Sequence, residues 1–163
     1  REVPDFPKPG ILFYDITTLL NQADGFREAI ELMNEPFKDD QIDIVVGMES
    51  RGFIFSAPMA LHLGAGFVPV RKLGKLPSET ISVEYELEYG TNTLEVHRDA
   101  IRPGQRVLIV DDLLATGGTV LGTIELIKQL KGEIVGLSFL VELGFLKGRE
   151  RIDGYRINSV IGY

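Results

Sequence analysis

Apolar residues recur along this chain at two different periods, and the switches between them predict its elements. Phe26, Ile30 and Met33 keep helical spacing, with Asp24 placed to cap the helix and Pro36 near its end. DIVVGM, residues 43–48, is an apolar run of strand length. Helical spacing returns from Phe53 to Leu63, where Pro58 predicts a kink or a late start. GFVPVR, residues 66–71, reads as a second strand with Pro69 at an edge or bulge. From Ile81 the period is two: Ile81, Val83, Tyr85, Leu87 and Tyr89 alternate with Ser82, Glu84, Glu86 and Glu88. After GTN at residues 90–92, Leu94 and Val96 resume the alternation, which predicts a hairpin with one wet face.

A strand beginning at Val107, a helix striped by Val120, Ile124 and Ile127, and the run IVGLSFLV at residues 134–141 follow in that order. Strand, helix, strand implies a βαβ unit and a parallel sheet. The fold class is therefore α/β: a doubly wound, mostly parallel central sheet flanked by helices, with an inserted antiparallel hairpin. The opening PDFPKPG, residues 4–10, is irregular or extended because of its prolines. No repeat, linker or low-complexity tract divides the chain, so residues 1–163 read as one domain.

Composition narrows the function classes. A chain of 163 residues can bury a real core. It has no cysteine, which excludes disulfides and thiolate zinc sites and agrees with a cytoplasmic location. A net charge of −7 argues against nucleic acid as the main partner. No apolar stretch is long enough to span a bilayer, and the first residues resemble no signal peptide. The chain begins at Arg1 without methionine, which suggests residues upstream. His62 and His97 stand in no triad pattern, so histidine-centred nucleophilic catalysis is not expected.

The chemistry concentrates in VLIVDDLLATGGTV, residues 107–120. Ligands of an open parallel sheet bind beyond the carboxyl ends of its strands, where Asp111 and Asp112 fall. The helix that follows offers unpaired N–H groups and a positive dipole end, suited to a phosphate. Gly117 and Gly118 let an anion approach the backbone, and Thr116 and Thr119 add hydroxyl donors. The carboxylates would repel that phosphate, so they require vicinal hydroxyls or a cation. Sugar beside phosphate means a phosphorylated pentose. Neither GxxxxGK[ST] nor GxGxxG occurs, which removes the common nucleotide fingerprints.

This segment resembles the phosphoribosyl diphosphate signature of the type I phosphoribosyltransferases, in its adenine-specific form. PDFPKPGILFYDIT (4–17), ESRGF (49–53), VPVRKLGKLPSETISVEYELEYG (68–90) and LKGRE (146–150) are similar to the same subfamily. The resemblance implies purine salvage: adenine and 5-phosphoribosyl 1-diphosphate giving AMP and pyrophosphate, with Mg²⁺, in a cytoplasmic homodimer. It implies a small N-terminal hood over about residues 1–20 and a flexible lid over about residues 72–90.

Residue by residue, the resemblance gives Asp111 and Asp112 the ribose hydroxyls, directly or through Mg²⁺. Ala115, Thr116, Gly117, Gly118 and Thr119 take the 5′-phosphate. Glu49, Ser50, Arg51 and Gly52 form the pyrophosphate loop, whose Glu49–Ser50 peptide is typically cis, and Arg71, Lys72 and Lys75 add charge for the diphosphate. Arg51 and Glu88 are the catalytic candidates, Glu88 as general acid/base, and Tyr89 is the lid tyrosine. Leu12, Phe13 and Tyr14 are expected to contact adenine, through backbone groups near Leu12 and the Phe13 ring. Tyr14 departs from the pattern, since many relatives carry arginine there. Two alternatives stand beside this reading: another base (hypoxanthine, guanine, xanthine or orotate), or a regulator sensing phosphoribosyl diphosphate on the same fold.

Overall fold

The computed structural model describes residues 1–86 and 91–163, and of Glu86 the backbone. A two-stranded antiparallel sheet, β1 (Glu2–Pro4) and β2 (Leu12–Tyr14), precedes the short helix α1 (Thr17–Leu20) and α2 (Ala23–Asn34). Then come β3 (Ile44–Met48), α3 (Gly52–Leu63), β4 (Gly66–Lys72), and the antiparallel pair β5 (Thr80–Glu86) and β6 (Thr91–His97). The chain continues through β7 (Arg106–Leu114), α4 (Gly118–Gln129), β8 (Glu133–Glu142) and β9 (Ile157–Gly162). Seven strands form one sheet in the order β5-β6-β4-β3-β7-β8-β9. From β4 to β9 its neighbours run parallel; β6 and β5 are antiparallel.

Alternation along β7 builds both halves of the core. Val107 and Ile109 join Val120, Ile124 and Ile127 of α4 on one face. Leu108 and Val110 join Ile30 and Met33 of α2 and Phe55 and Met59 of α3 on the other. All four β7 residues are fully buried, and each such side chain contributes about 1.5–3 kcal/mol by leaving water. The doubly wound architecture predicted from periodicity is the one observed.

Several details differ from the sequence reading. The N-cap position of α2 is Gln22, extended and without a side-chain cap, and Asp24 lies inside the first turn, paired with Arg27 at 2.9 Å. α3 begins at Gly52, ahead of Pro58, because Phe55 and Met59 anchor its buried face on both sides of the proline. Pro69 does occupy an edge: β4 pairs with β3 there, and meets β6 only at Arg71 and Lys72. β7 continues through the acidic doublet to Leu114. β9, which periodicity did not reveal, closes the sheet beside β8. Glu95 is buried on the hairpin face expected to be wet. Leu87 lies outside the described residues.

Candidate active site

The C-terminal ends of β3 and β7 lie side by side, so the segments leaving them meet. From β3 the chain turns through Glu49–Ser50, a cis non-proline peptide, into α3. From β7 it passes Asp111 and Asp112 into the loop before α4. Gly52 packs directly against β7: a Cβ there would stand 2.7 Å from Asp111 Oδ1 and 3.2 Å from the Val110 carbonyl. A side chain at residue 52 would displace the carboxylate that its neighbour strand presents.

Arg51 ties the doublet to the N-terminal sheet. Its Nε lies 2.8 Å from Asp112 Oδ2, and its guanidinium sits over the Phe13 ring, 5.3 Å from the centroid. Phe13 also meets Phe6 edge-on at 5.1 Å. Beneath β2 lies an enclosed cavity of about 140 Å³, lined by Ile11, Leu12, Phe13 and Tyr14, by Arg51 and Asp112, and by Leu113, Val141 and Leu143. Its walls are mostly apolar and its polar groups converge at one end, as small-molecule sites do. Tyr14 stacks on Tyr163 at 4.0 Å, so its ring is held from the C-terminal strand's side.

Burial pushes the Asp111 carboxyl well above its usual range; the neighbouring Asp112 charge adds to this and Arg51 opposes it. Burial raises Asp112 too, with Arg51 pulling back. A folded chain that holds a carboxyl proton more tightly than the unfolded one loses stability as pH rises through the ordinary value, here 3.8. Asp111→Asn removes that penalty and keeps an Oδ1 acceptor for the Asp112 N–H, which it accepts at 2.9 Å. The variant is expected to melt about 2–4 °C higher at pH 7, the shift of roughly 1 kcal/mol in a chain this size, and to lose the advantage near pH 3. Thermal melts at the two pH values check this; an advantage that grew on acidification would refute it.

Gly117, at φ +82°, stands at the N-cap position just ahead of α4, which has no side-chain cap. That helix N-terminus is thus available to an anion. The loop before it is braced from behind. Gly148 packs so closely that a Cβ would lie 2.1 Å from the Ala115 carbonyl oxygen, and Arg151 Nη1 donates to the Thr116 carbonyl at 2.9 Å. Thr119 offers its carbonyl to Thr123 Oγ1 at 2.9 Å.

A second cluster gathers around Glu49. Its carboxylate accepts Arg71 Nε at 3.1 Å and the Lys72 N–H at 3.0 Å, and it pairs with Lys75 Nζ at 3.2 Å. Burial opposes its ionisation, but the Lys72 N–H, Lys75 and Arg71 outweigh it and hold the carboxyl below its usual range. Lys72 takes part here through its backbone, and its side chain is exposed.

The structure thus brings Leu12, Phe13, Tyr14, Arg51 and Asp112 around one cavity, sets Gly52 against Asp111, and gathers Arg71, Lys72 and Lys75 around Glu49. Glu88 and Tyr89 lie outside the described residues. Sequence reasoning missed Leu113, Val141 and Leu143, which read simply as strand core. It also gave no role to Gly148 and Arg151, although LKGRE had drawn attention to their segment.

Residues 15–161 match the phosphoribosyl transferase domain family, the class that a pentose grip beyond a parallel sheet defines. An adenine phosphoribosyltransferase of Halothermothrix orenii is 59% identical over 99% of this chain and 95% of its own length. The crystal structure of the adenine phosphoribosyltransferase of Thermoanaerobacter pseudethanolicus superposes with a TM-score of 0.97 at 54% identity, covering 100% of this chain and 95% of that one. The enzyme of Saccharomyces cerevisiae, complexed with an imino-altritol bisphosphate and adenine, gives 0.92 at 41% identity, covering 98% and 93%. The chain belongs to the adenine phosphoribosyltransferase family.

Proposed function

We infer that this chain transfers the 5-phosphoribosyl group of 5-phosphoribosyl 1-diphosphate to N9 of adenine, giving AMP and pyrophosphate in purine salvage. The observation that carries this reading is that Asp112 and Arg51 line the apolar cavity under Phe13 while Asp112 also belongs to the acidic doublet. A flat neutral base in that cavity would lie directly against a sugar held by the doublet.

In this reading Asp111 and Asp112 accept hydrogen bonds from the ribose hydroxyls. Ala115, Thr116, Gly117, Gly118 and Thr119 wrap the 5′-phosphate at the N-terminus of α4. Arg51, Ser50 and Gly52, with Arg71, Lys72 and Lys75, take the diphosphate. As it departs, C1′ gains oxocarbenium-like character and charge builds on the leaving oxygens. Fixed cations stabilise that charge more in the transition state than in the ground state. Glu49 is better suited to holding Arg71 and Lys75 than to touching the diphosphate, which its own charge repels. Glu88 receives the N9 proton and Tyr89 belongs to the lid, both by family correspondence.

The donor set suits Mg²⁺, which is usually bound by one or two carboxylates together with substrate phosphates. Among the described residues no group of three or more acidic, histidine or cysteine side chains could hold an ion unaided, so Asp111 and Asp112 would share it with the diphosphate. When bound, the ion supplies charge neutralisation for the leaving group. We read residues 1–163 as one domain, with a hood over residues 1–20 and a lid over residues 72–90. The homodimer is supported by an apolar stripe on α3, where Ile54, Pro58 and Leu61 are spaced for one helix face and Leu61 is 85% exposed. Among the described residues no helix is long and apolar enough to cross a membrane. A cytoplasmic location fits a donor and product whose charges keep them from crossing a bilayer.

Pyrophosphate release under saturating donor tests the reading directly. Adenine is expected to exceed hypoxanthine, guanine and xanthine by about 100-fold or more in kcat/KM, the discrimination available when a site's polar groups match one base edge. Comparable rates with a 6-oxopurine would reassign the base.

A further inference from the structure

Among the described residues Asp112 and Glu95 are the acidic residues with the least exposed surface, 5% and 3%. The pentose site uses the first, and the reaction outlined above has no use for the second. Glu95 lies on β6 across from Arg71 of β4 and Ser82 of β5. Its carboxylate reaches the loop between those two strands. There Oε1 accepts the N–H groups of Lys75 at 2.8 Å and Leu76 at 3.0 Å, and Oε2 accepts Thr80 Oγ1 at 3.3 Å. Gly74, turned at φ +81°, presents a further N–H. Successive N–H groups converging on one anion form a nest. Burial disfavours the charge on Glu95, yet the hydrogen bonds from Leu76, Lys75 and Gly74 outweigh it and hold the carboxyl below its usual range.

Lys75 is held at both ends. Glu95 fixes its N–H, while its Nζ lies 3.2 Å from Glu49 Oε1 and its carbonyl accepts Arg71 Nη1 at 3.4 Å. We propose that Glu95 is a positioning residue: by folding residues 74–76 around its carboxylate it presents Lys75, beside Arg71, to the substrate's diphosphate without touching it. This rests on the assignment of Arg71 and Lys75 to the diphosphate. A loop already in its bound shape spares the ordering cost that a free one meets on binding. Glu49 occupies the two cations until the diphosphate arrives, and Glu95 keeps Lys75 in place when Glu49 releases it.

The test uses the full chain, calorimetric titration with inorganic pyrophosphate, and steady-state kinetics. Glu95→Gln keeps the shape and one acceptor oxygen but loses the charge. It is expected to weaken pyrophosphate binding and raise the donor KM by about tenfold, with the adenine KM within about twofold, and to speed amide exchange at Lys75 and Leu76. Because Glu95 acts through Lys75, the Glu95→Gln/Lys75→Ala double variant should bind pyrophosphate no worse than Lys75→Ala alone. Glu95→Asp, which keeps the charge but withdraws it from the loop, should give the same pattern at smaller size and serves if the glutamine variant fails to fold. Unchanged pyrophosphate affinity, equal rises in both KM values, or additive losses in the double variant would overturn the proposal. A wild-type chain that bound no pyrophosphate would sink the diphosphate assignment and this inference together; wild-type binding with an indifferent Glu95→Gln sinks the inference alone.

Discussion

Asp112→Asn is expected to lower kcat/KM for the phosphoribosyl donor by about 100-fold or more while the chain stays folded. The loss has two sources. Asp112 is 6% exposed at its side chain and holds Arg51 Nε at 2.8 Å. An asparagine can accept one hydrogen bond from the arginine but cannot balance its charge, so the guanidinium over Phe13 is no longer held in the place from which it is proposed to meet the diphosphate. The amide also presents one acceptor oxygen where the carboxylate presents two, which halves the grip available to vicinal hydroxyls. Stability should not fall, because burial already disfavours the Asp112 charge and the amide carries none. Steady-state kinetics with a parallel melt decides the matter. Wild-type kinetics would remove the doublet from the pentose site; a large loss accompanied by unfolding would mean that the residue is structural.

Gly148→Ala is the second variant with a large expected effect, and it acts from behind the loop proposed to hold the 5′-phosphate. Gly148 has φ −59°, a conformation that alanine adopts freely, so any effect comes from contact rather than from backbone strain. The added Cβ would meet the Ala115 carbonyl oxygen at 2.1 Å, its carbon at 3.0 Å and the Gly117 nitrogen at 3.1 Å. All three are backbone atoms, which cannot rotate aside as a side chain would. The loop or the segment carrying Gly148 must move, at about 1–3 kcal/mol for overpacking of this kind. Movement of the loop would disperse the N–H groups to which the proposed function assigns the 5′-phosphate. AMP should then bind about 10–100-fold more weakly, while adenosine, which lacks the phosphate, changes by no more than about twofold. Calorimetric titrations with AMP and with adenosine make the comparison. Equal losses for both would place the damage in the sugar or base site instead, and unchanged AMP affinity would show that Gly148 is not a brace.

The parts of the site that could be read in the sequence are those whose chemistry is contiguous along the chain. Asp111, Asp112 and the turn at residues 115–119 lie within a few residues of each other, and a strand ahead with a helix behind fixes their orientation. The same holds for residues 49–52, which the family resemblance identified and whose cis peptide is present. The N-terminal sheet was harder. Prolines marked residues 4–10 as irregular, but the pairing of Glu2 with Tyr14 that closes it spans the whole segment. Glu95 was misread because alternation assigns a face and not its covering. Here the covering is a loop whose N–H groups need a carboxylate.

Sequence alone determined the doubly wound sheet, the acidic doublet at a strand end and the glycine-threonine turn, because period, charge and backbone freedom are local properties. Only the tertiary structure decided which distant groups complete them. It set Arg51 between Asp112 and Phe13, Gly148 and Arg151 behind the loop ahead of α4, and Leu113, Val141 and Leu143 as walls of the cavity under Phe13. Those contacts depend on which strands become neighbours in the sheet, and no local pattern encodes that order; it emerges when the whole core packs.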